Sequence, residues 1–280
     1  MEGRVTIEGK HKGPRVVILG SVHGNERVGA AVVQTLAREL KPEDVFGTVE
    51  LVVGNPRAYE KDIRFTGFDL NRLFGSAMPE GVSAGAYEVQ RAVELKTCIE
   101  GADYLLDIHS TIKPSVPFVY MENTPEHRRL AALFGTPYIV SAEPEFRPRD
   151  LVSSTDTYVD AHGGVGLTYE SGWHKDEAYD TVLDRTRRFL DELKVAPYYA
   201  PQLSKSPPAL HLIIYGDIIP SSPQFSFAAD YSNFDRVPAG SVIAHDGETA
   251  ITAQEDSFIV FPKVDIGVGR VACYLARVAH

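Results

Sequence analysis

From residue 15 onward, short apolar runs alternate with amphipathic stretches, and this rhythm constrains the fold more than any other feature of the chain. Residues 15–20 (RVVILG) form an unbroken apolar run, as expected of a buried strand. Residues 27–40 place Val28, Val32, Leu36 and Leu40 four apart, on one face of a helix. The alternation continues, predicting strands at 49–53, 104–109, 118–121, 138–141 and 166–170. Helices are predicted at 88–99, 126–134 and 176–195, the last with Val182, Leu183, Phe189, Leu190 and Leu193 on one side. Such a chain is expected to form an α/β fold, a parallel or mixed sheet flanked by helices.

The texture changes near residue 201. Pro201, Pro207 and Pro208 break any helix and read as a linker. Strand-like runs follow at 210–215, 241–245, 258–261 and 271–278, with no helical pattern between them. The expected organisation is an α/β domain over residues 1–200 and a smaller, mostly β domain over residues 201–280.

Composition narrows the partners. The 28 Lys and Arg against 38 Asp and Glu leave a net charge of −10, which argues against nucleic acid or an anionic membrane surface. No stretch approaches the roughly 18–20 apolar residues of a membrane span. The first fifteen residues, MEGRVTIEGKHKGPR, lack the apolar centre of a secretory signal. Cys98 and Cys273 are far apart and form no Cys-x-x-Cys pair, so buried thiols in a cytoplasmic protein are expected. Assembly into homo-oligomers is left open.

Four segments carry candidate chemistry. Gly20-Ser-Val-His-Gly-Asn-Glu26 follows the first strand, where open α/β sheets bind ligands. His23 and Glu26, three apart, can reach one Zn²⁺; the same spacing also describes an ordinary surface pair or helix cap. Asp107-Ile-His109 ends an apolar strand with both polar side chains on one face. His109 reads either as a third ligand, with Asp107 orienting it, or as a core histidine bonded to an aspartate. Residues 54–75 are dense in Asn, Asp and Arg. There Arg64 and Arg72 offer planar forks to a carboxylate or oxyanion, Asn71 an amide donor, and Asp69 a brace for one arginine; a solvated loop is the bland alternative. Finally, Glu170 closes the 166–170 strand, where a carboxylate beside a metal suits a general base. Trp173, the only tryptophan, either walls a pocket or simply packs, and His174 is a further polar candidate.

In this order the motifs resemble the succinylglutamate desuccinylase/aspartoacylase family of zinc amidohydrolases, relatives of the zinc carboxypeptidases. The resemblance rests on Gly-x-x-His-Gly-Asn-Glu (20–26), Gly-Asn-Pro-x-Ala (54–58), Asp-Leu-Asn-Arg-x-Phe (69–74), Asp-Ile-His (107–109) and Glu170, and covers about the first 175 residues. It implies a carboxypeptidase-like mixed sheet with a smaller C-terminal β domain leaning over the site. It also implies one Zn²⁺ per chain on His23, Glu26 and His109, with Glu170 activating the water. Arg64 would polarise the scissile carbonyl and stabilise the oxyanion, and Asn71 and Arg72 would bind the carboxylate of a small N-acyl amino acid. The zinc with Arg64 and Arg72 would make the cleft locally cationic inside an acidic shell. The implied reaction is amide hydrolysis to a carboxylate and a free amino acid. A peptide-cleaving zinc carboxypeptidase and a non-catalytic zinc- or carboxylate-binding relative are the alternatives.

The chain departs from the family where Gly75, rather than Pro-Gly, follows Phe74, and where Ser-Gly-Trp-His follows Glu170. Arg147 and Arg149 stand as a further carboxylate contact or as solvated charge. Since some relatives use a C-terminal tyrosine, Tyr215 and Tyr231 are candidates for that contact.

Overall fold

The computed structural model describes residues 2–197 and 208–279, apart from 77, 80, 147, 177 and 265. The chain begins with β1 (Arg4–Glu8), β2 (His11–Gly20), α1 (Arg27–Glu39), β3 (Phe46–Val53), α2 (Pro56–Lys61), α3 (Tyr87–Ile99) and β4 (Tyr104–Thr111). It continues through β5 (Phe118–Met121), α4 (Pro125–Ala131), β6 (Tyr138–Ala142), α5 (Thr155–Ala161), β7 (Val165–Trp173) and α6 (Tyr179–Glu192). Then come β8 (Leu210–Ile218), β9 (Phe225–Phe227), β10 (Arg236–Val237), β11 (Val242–Asp246), β12 (Thr249–Thr252), β13 (Ser257–Val260) and β14 (Cys273–Val278), with no helix among the described residues.

One mixed sheet takes the order β1-β3-β2-β4-β7-β5-β6-β8-β14-β13-β10. Its centre, β3-β2-β4-β7, is parallel, and β5 runs antiparallel to β7. Helices cover both faces, so alternate residues of one strand enter different cores. Val16 and Ile18 pack with Val32, Leu36, Phe189 and Leu190, whereas Val17 and Leu19 pack with Leu95 and Ile99. Burial on both faces is why β2 reads as a continuous apolar run rather than an alternating one.

The C-terminal segment is all β, yet most of it is not a separate layer. Strand β8 lies parallel beside β6, and β14, β13 and β10 extend the same sheet. Only β12-β11-β9 forms a second, three-stranded sheet, joined to the first by a small core with Ile218, Ile243 and Ile259. The linker expected at Pro201 and Pro207 lies outside the described residues.

Three local expectations are corrected. The polar stretch after β3 contains α2, started by the Asn55 side chain, which accepts from the Ala58 N–H, and by Pro56 at its first turn. Strand β7 does not end at Glu170; it runs on to Trp173, which pairs with Thr111 beyond an irregularity in the register. Helix α6 is shorter than its apolar pattern. It ends at Glu192, and Lys194 then takes a left-handed φ of 57°.

Candidate active site

The sheet changes direction between β2 and β4: the chain leaves β2 for β3 on one side, and β4 flanks β2 on the other. Crevices at the C-terminal ends of strands open at such a switch point. His23 and Glu26 follow β2, His109 lies near the end of β4, and Glu170 pairs with His109 across β4 and β7. Three segments far apart in sequence are therefore brought together by two strand registers and one turn. That turn packs tightly: a Cβ on Gly24 would sit 2.1 Å from the carbonyl carbon of Ala58, so only glycine fits.

His23, Glu26 and His109 are all buried. Glu26 lies between the imidazoles, with Oε1 2.8 Å from His23 Nδ1 and Oε2 3.0 Å from His109 Nδ1. The far nitrogens face carboxylates: Asp69 Oδ1 is 2.9 Å from His23 Nε2, and Asp107 Oδ2 is 3.0 Å from His109 Nε2. One nitrogen toward a shared centre and the other toward a carboxylate is the arrangement that orients metal-binding histidines. His23 Nδ1 makes no hydrogen bond despite its burial, and the candidate donor atoms of all three residues lie within 4.8 Å of one another. Two imidazole nitrogens and one carboxylate oxygen fit a divalent ion such as Zn²⁺.

The two glutamates of the site are tuned in opposite directions. Burial pushes Glu26 up, but His23 and His109 outweigh it and hold the carboxyl well below its usual range. Burial pushes Glu170 up to about 8, with His109 and Arg64 pulling against it and Glu26 adding to it. Glu170 Oε2 is buried with no hydrogen-bond partner. One carboxylate is thus a fixed anion and the other is a group able to gain and lose a proton near neutrality.

The arginines are placed by the loop before α3. Glu88, buried on α3, accepts from both the N–H and the hydroxyl of Thr66 at 2.6 Å, and from Asn55 at 3.4 Å. This pins the segment that carries Arg64. Arg64 donates to Glu26 at 3.1 Å and to Asp69 at 3.4 Å. Arg72 lies 3.9 Å from Asp69 and 3.8 Å from Asp150. Asp69 therefore braces both arginines and His23, more than the single arginine expected of it. Burial alone would raise its pKa; Arg72, His23 and Arg64 hold it well below the usual range. Asn71 stands behind the cavity lining, where its amide oxygen accepts from the Thr155 N–H at 3.1 Å. Its NH₂ end is the one left to donate.

These groups open into a cavity of about 560 Å³. His23, Glu26, Arg64, Arg72, His109 and Glu170 line it, and so do Tyr120, Asp150, Asp156, Lys263 and Tyr274, which no sequence pattern had marked. Lys263 pairs with Asp150, and the Tyr274 hydroxyl accepts from the Asp150 N–H at 3.2 Å. The C-terminal tyrosine at the site is therefore Tyr274. Tyr215 instead bonds Ser257 at 2.7 Å, and neither Tyr215 nor Tyr231 lines the cavity. Trp173 donates to the Ile112 carbonyl at 3.1 Å and His174 approaches that of Thr111 at 2.9 Å; both tie strand ends together away from the cavity. Arg149 is exposed, and Arg147 lies outside the described residues.

Comparison with known proteins is consistent along the chain. The sequence profile of the succinylglutamate desuccinylase/aspartoacylase catalytic domain matches residues 12–195, and that of the AstE/AspA barrel-sandwich hybrid domain matches residues 217–277. A succinylglutamate desuccinylase of Pseudoalteromonas atlantica is 26% identical over 305 residues, covering 96% of this chain and 83% of that protein. An aspartoacylase of Danio rerio is 33% identical over 123 residues, 40% of this chain and 38% of that one. The solved succinylglutamate desuccinylase of Vibrio cholerae has the same fold, with a TM-score of 0.80 at 20% identity over 99% of this chain and 86% of that one.

Proposed function

This chain belongs to the succinylglutamate desuccinylase/aspartoacylase family, and from that premise we propose that it is a zinc-dependent deacylase of a small N-acyl amino acid. The observation that carries the reading is Glu170: a buried carboxylate with a free oxygen, registered against His109 and facing the same cavity as the donors of His23, Glu26 and His109.

A zinc ion on these three residues would supply Lewis-acid polarisation and lower the pKa of water toward about 7. Glu170 takes a proton from the attacking water and returns it to the leaving amine, roles suited to a group poised near neutrality. Arg64 donates to the oxygen on which negative charge develops. Arg72, with Asn71 behind it, receives the substrate carboxylate. Asp69 and Asp107 keep the imidazole rings turned so that Nδ1 faces the centre.

In this reading residues 1–200 are the catalytic domain and residues 201–280 cap the site, which the lining by Lys263 and Tyr274 supports. That cover also favours a small substrate over a peptide. The presence of both Glu170 and Arg64 favours an enzyme over a non-catalytic binder. Two free, buried cysteines support a cytoplasmic setting, and among the described residues no helix is long and apolar enough to cross a membrane.

The test is metal analysis of purified protein with a turnover panel of N-acetylaspartate, N-succinylglutamate and a short peptide. Near-stoichiometric zinc with hydrolysis of an N-acyl amino acid is expected. Preferred cleavage of the peptide, or zinc without turnover, would sink the proposal.

A further inference from the structure

Asp150 is the point where the α/β part of the chain and its C-terminal strands meet in the cavity. It lies between β6 and α5 and lines the cavity. Its Oδ1 is 3.8 Å from Arg72 Nε, and its Oδ2 pairs with Lys263. Its N–H donates to the Tyr274 hydroxyl at 3.2 Å.

The backbone fixes this meeting point from both sides. The Leu151 and Val152 N–H groups donate to the Pro148 carbonyl at 2.9 and 3.1 Å, which closes a turn around Asp150. That turn is stitched to the segment carrying Arg72. The Phe74 N–H donates to the Ser153 carbonyl at 3.0 Å, and the Thr155 N–H to Asn71 Oδ1 at 3.1 Å. On the far side, the Lys263 N–H donates to the Ala272 carbonyl at 2.9 Å, next to the start of β14.

The distances decide what Asp150 does. At 3.8 Å from Nε it is too far for a hydrogen bond to Arg72, and so is Asp69 at 3.9 Å from Nη2. Among the described residues Arg72 hydrogen-bonds only through Nη1, to the Asn71 carbonyl at 3.0 Å. Burial works against the Arg72 charge, and Asp69 and Asp150 outweigh it and raise its pKa. Two carboxylates thus aim the guanidinium by charge, while its Nε and Nη2 edge keeps both donors for a planar carboxylate. Left alone, Asp150 would close onto that edge at about 2.7–2.9 Å, the usual length of such bonds. Lys263 takes the other oxygen and holds it back. The two cations also need the anion between them. Burial pushes the Lys263 pKa down, Arg72 and Arg64 push the same way, and Asp150 opposes them.

We propose that Asp150 is a positioning residue: anchored by Lys263, it aims the Nε–Nη2 edge of Arg72 at the substrate α-carboxylate without filling that edge. This rests on the deacylase reading and adds a residue that acts through Arg72.

The experiment compares kcat/KM of the zinc-loaded protein for N-acetyl-L-aspartate and its α-carboxamide, N-acetyl-L-isoasparagine. The pair differs only at the α-carboxylate. A ratio of at least about 10 in favour of the carboxylate is expected, the worth of hydrogen bonds to a charged group. Asp150→Asn keeps the backbone N–H that meets Tyr274 and removes only the charge. It is expected to cut the ratio about 5- to 10-fold, raising KM for the carboxylate more than it lowers kcat. Made on top of Arg72→Met, the same change is expected to leave the ratio where Arg72→Met alone puts it. Lys263→Met, which frees Asp150 to close on Arg72, is expected to lower the ratio as well.

An unchanged or higher ratio in Asp150→Asn overturns the proposal, as does an equal loss on both substrates. A further drop on top of Arg72→Met overturns it too, and so does a wild-type ratio near one. The deacylase reading stands in each of these cases, because the metal and turnover panel decides it separately. If neither compound is hydrolysed, calorimetry with the intact pair replaces the kinetics. Tighter binding of the carboxylate that weakens in Asp150→Asn upholds the proposal, and equal or no binding rejects it. Should Asp150→Asn fail to show a folded melting transition, Lys263→Met decides, and an unaltered ratio there rejects the proposal.

Discussion

The two sides of the cavity differ in how they are built. One side comes from strand ends and the turn after β2, where His23, Glu26, His109 and Glu170 are held by backbone register and close packing. The other gathers Tyr120, Asp150, Asp156, Lys263 and Tyr274 from segments distant in sequence, with Asp150 meeting both Lys263 and the Tyr274 hydroxyl. The first side has compact motifs and the second has none. Registers and turns place reacting groups rigidly, which suits chemistry shared by a family. Side chains gathered from loops and late strands vary without moving the sheet, which suits substrate choice.

This division is broken most severely by removing parts of the first side. His109→Ala is expected to abolish both metal binding and turnover. Glu170→Ala is expected to retain the metal while losing a factor of about 10²–10⁴ in kcat. Elemental analysis beside steady-state kinetics separates the two, and wild-type turnover in Glu170→Ala would contradict the assigned base. Arg64→Ala follows, with an expected loss of about 10²–10³ in kcat and retained metal. A rise in KM alone would move Arg64 from the reacting carbonyl to substrate binding.

On the second side the effects are smaller and of a different kind. Tyr274→Phe is expected to raise KM about 2- to 10-fold, the worth of one hydrogen bond, while Tyr215→Phe leaves KM unchanged. Equal effects would erase the distinction between the tyrosine that lines the cavity and the one that does not.

Asp156 gives a contrast in stability rather than rate. Its folded pKa of about 6 lies above the 3.8 of an ordinary aspartate, so the fold favours the protonated form. That contribution is fully present below pH 3.8 and is lost as pH rises through about 6. Asp156→Asn is therefore expected to gain on the order of 2–3 kcal/mol relative to wild type at pH 8 compared with pH 3.5. Denaturant melts at the two pH values test this, and a pH-independent difference would show that the carboxyl is not buried in isolation.

Much of this molecule was legible in its residues. Apolar runs marked the strands β2–β8 and β11, β13 and β14, and in β3, β4, β5 and β13 burial on both faces leaves a continuous hydrophobic signature. The short strands β9, β10 and β12 and the half-exposed β1 left too little pattern to read. The candidate metal ligands left local signals, His23 and Glu26 in one turn and His109 on one strand face with Asp107, and the family resemblance joined them into one set. Asp156, Lys263 and Tyr274 left none, because each acts through a partner more than a hundred residues away or through the cavity itself. The sequence by itself determined most of the strands and helices through periodicity, and its motifs, taken with the family resemblance, marked His23, Glu26, His109 and Glu170 as the candidate ligands and base. Only the tertiary structure decided that the C-terminal strands extend the same sheet and that Tyr274 is the tyrosine lining the cavity. Those outcomes depend on long-range packing, where the physical constraint is on shape and charge in space and not on the order of residues along the chain.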